Sequence, residues 1–126
     1  MVGHSNLGVA DALRIQEQQG RLSYYGIRHE GAAAFACSAY GKLTGRPGVC
    51  FVTRGPGATN ASAGIHVAQQ DSTPLLMFVG QVGRGLRERD AFQEVDIVGI
   101  TRPCTKHNWL VKETDRLSDT VHQAFH

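Results

Sequence analysis

Glu30 is the acidic residue whose setting in the sequence most needs a chemical explanation. It follows the β-prone stretch Tyr25-Gly26-Ile27 and opens an alanine-rich stretch, residues 30–42. That places a carboxyl between a strand end and a helix start, at the edge where open α/β sheets bind ligands. A helix amino terminus favours the carboxylate by ~0.3–1 kcal/mol. Burial beside Gly31 and the alanines works the other way, and complete desolvation outweighs the helix end. A buried Glu30 would then hold or share a proton near neutrality, whereas an exposed one would only stabilise the first turn; spacing leaves both open.

A second candidate is Arg54-Gly55-Pro56-Gly57-Ala58-Thr59-Asn60, which joins a strand to a helix where a phosphate could meet the helix amino terminus. It lacks the Gly-Lys-Ser/Thr ending of a P-loop, and Asn60 stands where a dinucleotide fingerprint has its third glycine. Pro56 also removes an amide donor. The loop is therefore either a plain strand-to-helix turn or a surface lying flat against a ligand or another chain. His29-Glu30 begins like the zinc-protease H-E-x-x-H, but position 33 is Ala. His122 and His126 lie four apart without a third ligand and read as surface histidines, so no metal site is expected. Neither G-x-S-x-G nor C-x-x-C occurs.

These residues need elements to position them, and the segments alternate. Leu7, Ala10 and Leu13 predict a helix over 6–19, ended by Gly20. Leu22 to Ile27 is β-prone. The alanine-rich helix over 30–42 stops at Thr44-Gly45-Arg46-Pro47. Gly48 to Thr53 reads as a strand, followed by a Gly-Pro-Gly turn and a helix from Ala58 to Gln70. After Pro74, Leu75 to Val79 reads as another strand. Gly83 to Asp90 is a charged loop, 93–100 a short helix, Thr105 to Val111 a strand and Thr114 to Phe125 a closing helix capped by Thr114.

Short runs apolar on every side, alternating with helices, predict an α/β fold: an open parallel sheet with helices on both faces. The alanine helix is apolar round nearly its whole circumference, which calls for cover on more than one side. A subunit or domain interface is the expectation, against a core helix with an exposed alanine face.

Composition sets bounds. The chain has 126 residues with 13 Lys+Arg against 11 Asp+Glu, a net +2 that gives no footprint for nucleic acid or an anionic membrane. With 41% hydrophobic and 19% charged residues it should fold as one domain. No run approaches a membrane span, and the amino terminus has neither the basic start nor the apolar core of a signal peptide. Cys37, Cys50 and Cys104 are an odd, widely spaced set, read as reduced, buried thiols of a cytoplasmic protein.

Several stretches resemble a known family in order and spacing. They are Arg28-His29-Glu30-Gly31-Ala32-Ala33 through Tyr40-Gly41-Lys42-Leu43-Thr44-Gly45, Gly48-Val49-Cys50-Phe51-Val52-Thr53-Arg54-Gly55-Pro56-Gly57-Ala58-Thr59-Asn60, Asp71-Ser72-Thr73-Pro74 and Gly80-Gln81-Val82. Together they resemble the amino-terminal pyrimidine-binding domain of thiamine diphosphate-dependent enzymes. Ala91-Phe92-Gln93-Glu94 and Thr105-Lys106-His107-Asn108-Trp109-Leu110-Val111 look most like the acetolactate synthase branch.

The resemblance implies a role for Glu30. The glutamate of the family's His-Glu pair hydrogen-bonds N1′ of the aminopyrimidine and promotes the tautomer that activates the cofactor for decarboxylation of a 2-keto acid and carboligation. It likewise implies cofactor contacts for Thr53, Pro56, Asn60 and Gln93, and substrate-side places for Phe92, Gln93 and Gln81. Without the family, Phe92 reads as a core aromatic and Gln93 as a helix start.

The family also implies partners that this sequence does not supply. Thiamine diphosphate is held with Mg2+ through a Gly-Asp-Gly…Asn motif in a separate carboxyl-terminal domain, and no Gly-Asp-Gly occurs here. FAD accompanies some members. The expectation is thus one pyrimidine-binding domain over residues 1–126, a fragment of a larger enzyme, working in a homodimer or homotetramer whose second subunit brings the diphosphate domain. The usual first strand is missing, Val2-Gly3 stand where Pro-Gly is usual, and Arg54 replaces a small residue. Other branches stay open: oxalyl-CoA decarboxylase, glyoxylate carboligase, sulfoacetaldehyde acetyltransferase or a sugar-acid hydrolase. So do a stand-alone subunit with a separate diphosphate-domain chain and a catalytically dead module.

Overall fold

A computed structural model describes residues 2–126. Among them the elements run α1 (Leu7–Gln18), α2 (Glu30–Thr44), β1 (Gly48–Thr53), α3 (Arg54–Gln70), β2 (Leu75–Gly80), α4 (Ile97–Thr101) and α5 (Leu117–Ala124), with short 3-10 turns between. β1 and β2 pair in parallel, Gly48 opposite Leu75 and Thr53 opposite Gly80. The described residues therefore form a small open parallel α/β sheet, the class expected from the apolar runs.

The core is made of small residues. Val52 of β1 meets Ala34 of α2 and Ala61 and Ile65 of α3, while Met77 and Val79 of β2 extend the cluster, and Cys50 is buried on the same strand. On the other face Phe51 stacks on Phe78, ring centroids 4.8 Å apart, in a cleft shared with Val9, Ala10 and Leu13 of α1. Helices thus lie on both faces. α2 and α3 approach closely because Gly64 faces Ala34: a Cβ there would stand 2.6 Å from the Ala34 Cβ and 2.9 Å from the Phe35 amide nitrogen.

α2 buries only one side. Ala33, Ala34 and Ser38 are enclosed, but Phe35, Tyr40 and Leu43 face outward, Leu43 at 86% exposure. Even spread of apolar residues round a helix has produced one packed face and one open apolar face.

Four sequence expectations need correction. Leu22–Ile27 forms no strand. Aromatic β-propensity means little without a neighbouring strand to pair with, and this stretch instead hangs on α1, where Glu17 accepts the Tyr24 amide at 2.7 Å. The Gly-Pro-Gly stretch is not a turn before the helix but its first turn, since α3 starts at Arg54. Pro is tolerated there because first-turn amides have no intrahelical partner.

Residues 93–100 cannot be one helix, because Gln93 has φ 65° and Asp96 caps the Gly99 amide at 2.9 Å, starting α4 at Ile97. Thr105–Val111 is not a strand either. Asn108 bonds back to Thr101 (2.8 Å) and Thr105 (2.6 Å), and the His107 and Trp109 rings meet at 4.1 Å, so local side chains hold it in place of a ladder.

Smaller differences concern the last helix and the thiols. Thr114 begins a 3-10 turn ahead of α5 and is not its cap. Cys50 is buried, while Cys37 and Cys104 are half-buried, all three free. A hydrogen bond from the Cys50 thiol holds the Cys37 thiol below its ordinary pKa and pushes Cys50 well above it. No helix among the described residues is long and apolar enough to cross a membrane.

Candidate functional site

Glu30 is the first residue of α2 and only 4% exposed. The sequence places it there through His29, whose extended backbone ends the incoming chain and whose Nδ1 accepts the Gly31 amide at 3.1 Å. With a first-turn amide satisfied by the imidazole, the helix starts at Glu30, two residues before the alanines, and the carboxyl lies buried in its first turn. The carboxyl lies against α3, where Asn60 Nδ2 donates to Glu30 Oε2 at 3.1 Å. That bond leaves Oε1 unengaged by Asn60. A buried carboxyl with one oxygen held by Asn60 has a second oxygen that a ring N–H or nitrogen could meet.

Asn60 and the Glu30–Asn60 bond exist because α2 and α3 are so close; the Gly31 position itself abuts the Asn60 carbonyl. Thr53 is the last residue of β1, at the carboxyl end of the sheet, with its hydroxyl 2.5 Å from that of Ser5. Pro56 is exposed in the first turn of α3, where Thr59 bonds the Gly55 and Pro56 carbonyls at 3.0 and 3.1 Å. Gln81 follows β2 directly, and its Oε1 accepts the amide of its neighbour Val82 at 2.9 Å.

Phe92 and Gln93 lie in a turn that docks on the start of α3. The Gly55 amide donates to the Gln93 carbonyl at 3.0 Å, and Arg54 donates to the Phe92 carbonyl at 3.0 Å. Phe92 is 77% exposed, which rules out the core-aromatic reading. Gln93, with φ 65°, is not a helix start.

Glu94 completes the turn: its carboxylate accepts the Glu88 amide at 2.6 Å and the Ala91 amide at 3.0 Å. These bonds, the Glu88 amide first, hold its pKa below the ordinary glutamate value.

The candidates thus fall into two groups on one helix. Glu30 meets α3 at residue 60, and the Phe92–Gln93 turn meets it at residues 54–55, about 9 Å apart at the helical rise. Thr53 and Gln81 sit at the carboxyl ends of the strands beside that helix start. In the sequence Arg54 stands out only as part of the 54–60 loop and as a replacement for a small residue, and Glu94 only within the 91–94 motif; neither has a role of its own there. The only signal was indirect: a large cation before Gly-Pro-Gly and an acid closing Ala91-Phe92-Gln93-Glu94.

The donor set fits one kind of ligand end. A buried carboxyl, an amide and a hydroxyl suit a heterocycle carrying both N–H and ring nitrogen. They do not suit a polyanion, since Pro56 removes an amide from the α3 start and Glu30 would repel negative charge. No group of three or more His, Cys, Asp or Glu among the described residues could hold a metal ion.

Residues 1–100 match the family described as "Thiamine pyrophosphate enzyme, N-terminal TPP binding domain". The chain is 48% identical to an acetolactate synthase of Arthrospira platensis over 124 residues, covering 98% of this chain and 21% of that protein. It is 48% identical over 123 residues to an acetolactate synthase large subunit of Parasynechococcus marenigrum, with 98% of this chain and 20% of that protein covered. An acetolactate synthase of Mycobacterium bovis is 51% identical over 106 residues, 84% of this chain and 17% of its own length. The chain therefore spans about a fifth of the length of these curated relatives. On the match over residues 1–100, the chain belongs to the thiamine pyrophosphate enzyme family, as its N-terminal, cofactor-binding domain.

Proposed function

We propose that residues 1–126 are the pyrimidine-binding domain of a larger acetolactate synthase-like enzyme, which decarboxylates a 2-keto acid and joins the remaining fragment to a second carbonyl compound. The observation that carries this reading is the buried Glu30 carboxyl, held on one oxygen by Asn60. Thiamine diphosphate, when bound, supplies the electron sink for the decarboxylation. The chain's own part is to bind, orient and exchange a proton. Glu30 Oε1 would meet the aminopyrimidine ring nitrogen and share a proton with it, with Asn60 keeping the carboxyl aimed through Oε2. Thr53, Pro56 and Gln93 would hold the ring, while Phe92 and Gln81 would lie on the substrate side.

The rest of the site belongs to other parts of the assembly in this reading. Mg2+ and the diphosphate sit on a carboxyl-terminal domain of a second subunit, and FAD, where bound, sits on a further domain. The open apolar face of α2, with Phe35, Tyr40 and Leu43, suits a subunit contact in a homodimer or homotetramer. In this reading the protein works in the cytoplasm.

The test is Glu30→Gln in the full-length enzyme, assayed for acetolactate from pyruvate. Glutamine keeps the size and the Asn60 contact but cannot exchange the proton. Turnover should fall by about 100-fold or more, the scale of general acid–base contributions, with the fold intact. Undiminished turnover would remove Glu30 from the chemistry. Product other than acetolactate from the unaltered enzyme would move it to another branch of the family.

A further inference from the structure

The Phe92–Gln93 turn has no strand or core to hold it, yet its backbone is strongly constrained. Glu88, Asp90 and Gln93 all take positive φ (62°, 54° and 65°), which side-chain-bearing residues adopt only when surroundings impose it. Something must offset that cost, and the structure shows two devices. From inside, the Glu94 carboxylate gathers the Glu88 and Ala91 amides. From outside, the start of α3 supplies two donors in sequence: Arg54 to the Phe92 carbonyl and the Gly55 amide to the Gln93 carbonyl, each at 3.0 Å.

The outer contact is a close fit. A Cβ at Gly55 would stand 2.8 Å from Val95 Cγ1 and 2.9 Å from the Gln93 oxygen, so only glycine lets the helix start and the turn touch. Arg54 is itself bent to the task, with φ 49° and an Nε buried without a hydrogen-bond partner. Taking a left-handed backbone and an unsatisfied buried nitrogen costs stability twice over. A surface arginine with no structural task would relax into solvent.

We infer that Arg54 is a positioning residue: with Gly55 it clamps the Phe92–Gln93 turn to the start of α3 and so fixes where those two side chains stand relative to the Glu30–Asn60 pair. It acts through the main chain and does not touch the reacting atoms. A small residue before Gly-Pro-Gly would leave the Phe92 carbonyl without this donor, so in this protein the cation does work that a small side chain cannot. The inference rests on the functional reading above only for its catalytic consequence; the clamp itself is a property of this chain.

Two measurements separate those layers. Amide hydrogen exchange on the full-length protein reads the clamp directly. In Arg54→Ala the Gly55 and Ala91 amides should exchange at least about tenfold faster, as expected for losing a charged hydrogen bond in a local opening. Core amides of β1 should be unaffected, and Arg54→Lys, which keeps a charged donor, should recover most of the protection. Steady-state kinetics with a 2-keto acid reads the consequence: kcat should drop by about tenfold, while thiamine diphosphate affinity stays within about twofold.

Unchanged exchange at Gly55 and Ala91 in Arg54→Ala would overturn the clamp. A kcat loss matched by an equal loss of cofactor affinity would overturn the positioning role, because general loosening would explain both. If the unaltered enzyme turns over no 2-keto acid, the functional reading fails while the exchange result still decides the clamp.

Discussion

Glu30 and Gln93 are both placed by α3, but by opposite physics. Glu30 stands on a helix pair locked by small residues, Gly64 against Ala34 and Gly31 against the Asn60 backbone, so its position follows from packing. Phe92 and Gln93 stand on a turn with no buried apolar residue of its own, fixed by Arg54, Gly55 and Glu94 through hydrogen bonds. Packing is non-directional and contributes through many contacts, so no single hydrogen bond decides it, but it resists changes of volume. A hydrogen-bonded turn is the reverse: away from the close contact at Gly55 volume matters little, but each donor matters.

The strongest way to break the packed half is to add volume at Gly64. Gly64→Leu gains about 1 kcal/mol of helix propensity, yet drives a branched side chain into Ala34 and the Phe35 backbone. Helices cannot part without opening the core, so the net loss should be about 3 kcal/mol or more. Urea denaturation would show it, and an unmoved midpoint would mean the helices are not in contact. Val52→Ala removes volume from the same core. Val52 is fully buried among Ala34, Ala61 and Ile65, and the loss should be about 2 kcal/mol. A loss below about 0.5 kcal/mol would show that the cluster collapses to fill the space.

The same contrast decides what could be read from the sequence. β1, α2, α3 and β2 were legible because each is a long apolar or alanine-rich run bounded by Gly or Pro, and their burial follows from those side chains alone. The place of Glu30 at the start of α2 is legible for the same reason, but spacing leaves its burial open, because the approach of α3 that brings Asn60 onto the carboxyl has no local signal. The segments at 22–27 and 105–111 have strand-like composition, but strands need neighbours, and composition says nothing about which neighbour is present. Gly83 to Asp90 reads only as a charged loop and 93–100 as a short helix, because the order of this region comes from side chains bonding backbone amides out of register with any period. Glu94, Arg54 and three residues with positive φ carry no hydrophobic signal at all. Their family motif marked Phe92 and Gln93, but not what holds them.

In the hydrogen-bonded half the informative change is isosteric. Glu94→Gln keeps the volume and removes the charge that gathers two amides. Exchange of the Glu88 and Ala91 amides should quicken at neutral pH, with the urea midpoint nearly unmoved. The pH sign is fixed by the depressed pKa. The carboxylate's contribution is fully present above the unfolded-state value, ordinarily about 4.3, and fades as pH falls through the lower folded value. A carboxyl titration followed by NMR should therefore show Glu94 with a midpoint below that of an exposed glutamate. A midpoint at or above it would mean that the amides are not bound.

The smallest effect should come from a polar bond placed in the packed half. Lys42 near the end of α2 and Asp71 just after α3 form an ion pair at 2.9 Å, with side chains 66% and 43% exposed. Its chemistry is as good as that of the bonds at Glu94, and its distance is within the same range. But the two helices it joins are already fixed by Gly64, Ala34 and Ala61, so the pair has no geometry left to decide, and water competes for both ends. Lys42→Ala should cost no more than about 0.5 kcal/mol, fading further in salt. A loss above about 1.5 kcal/mol would show that the α2–α3 contact is held partly by charge, and the distinction between a packed and a hydrogen-bonded half would have to be redrawn at the helix ends.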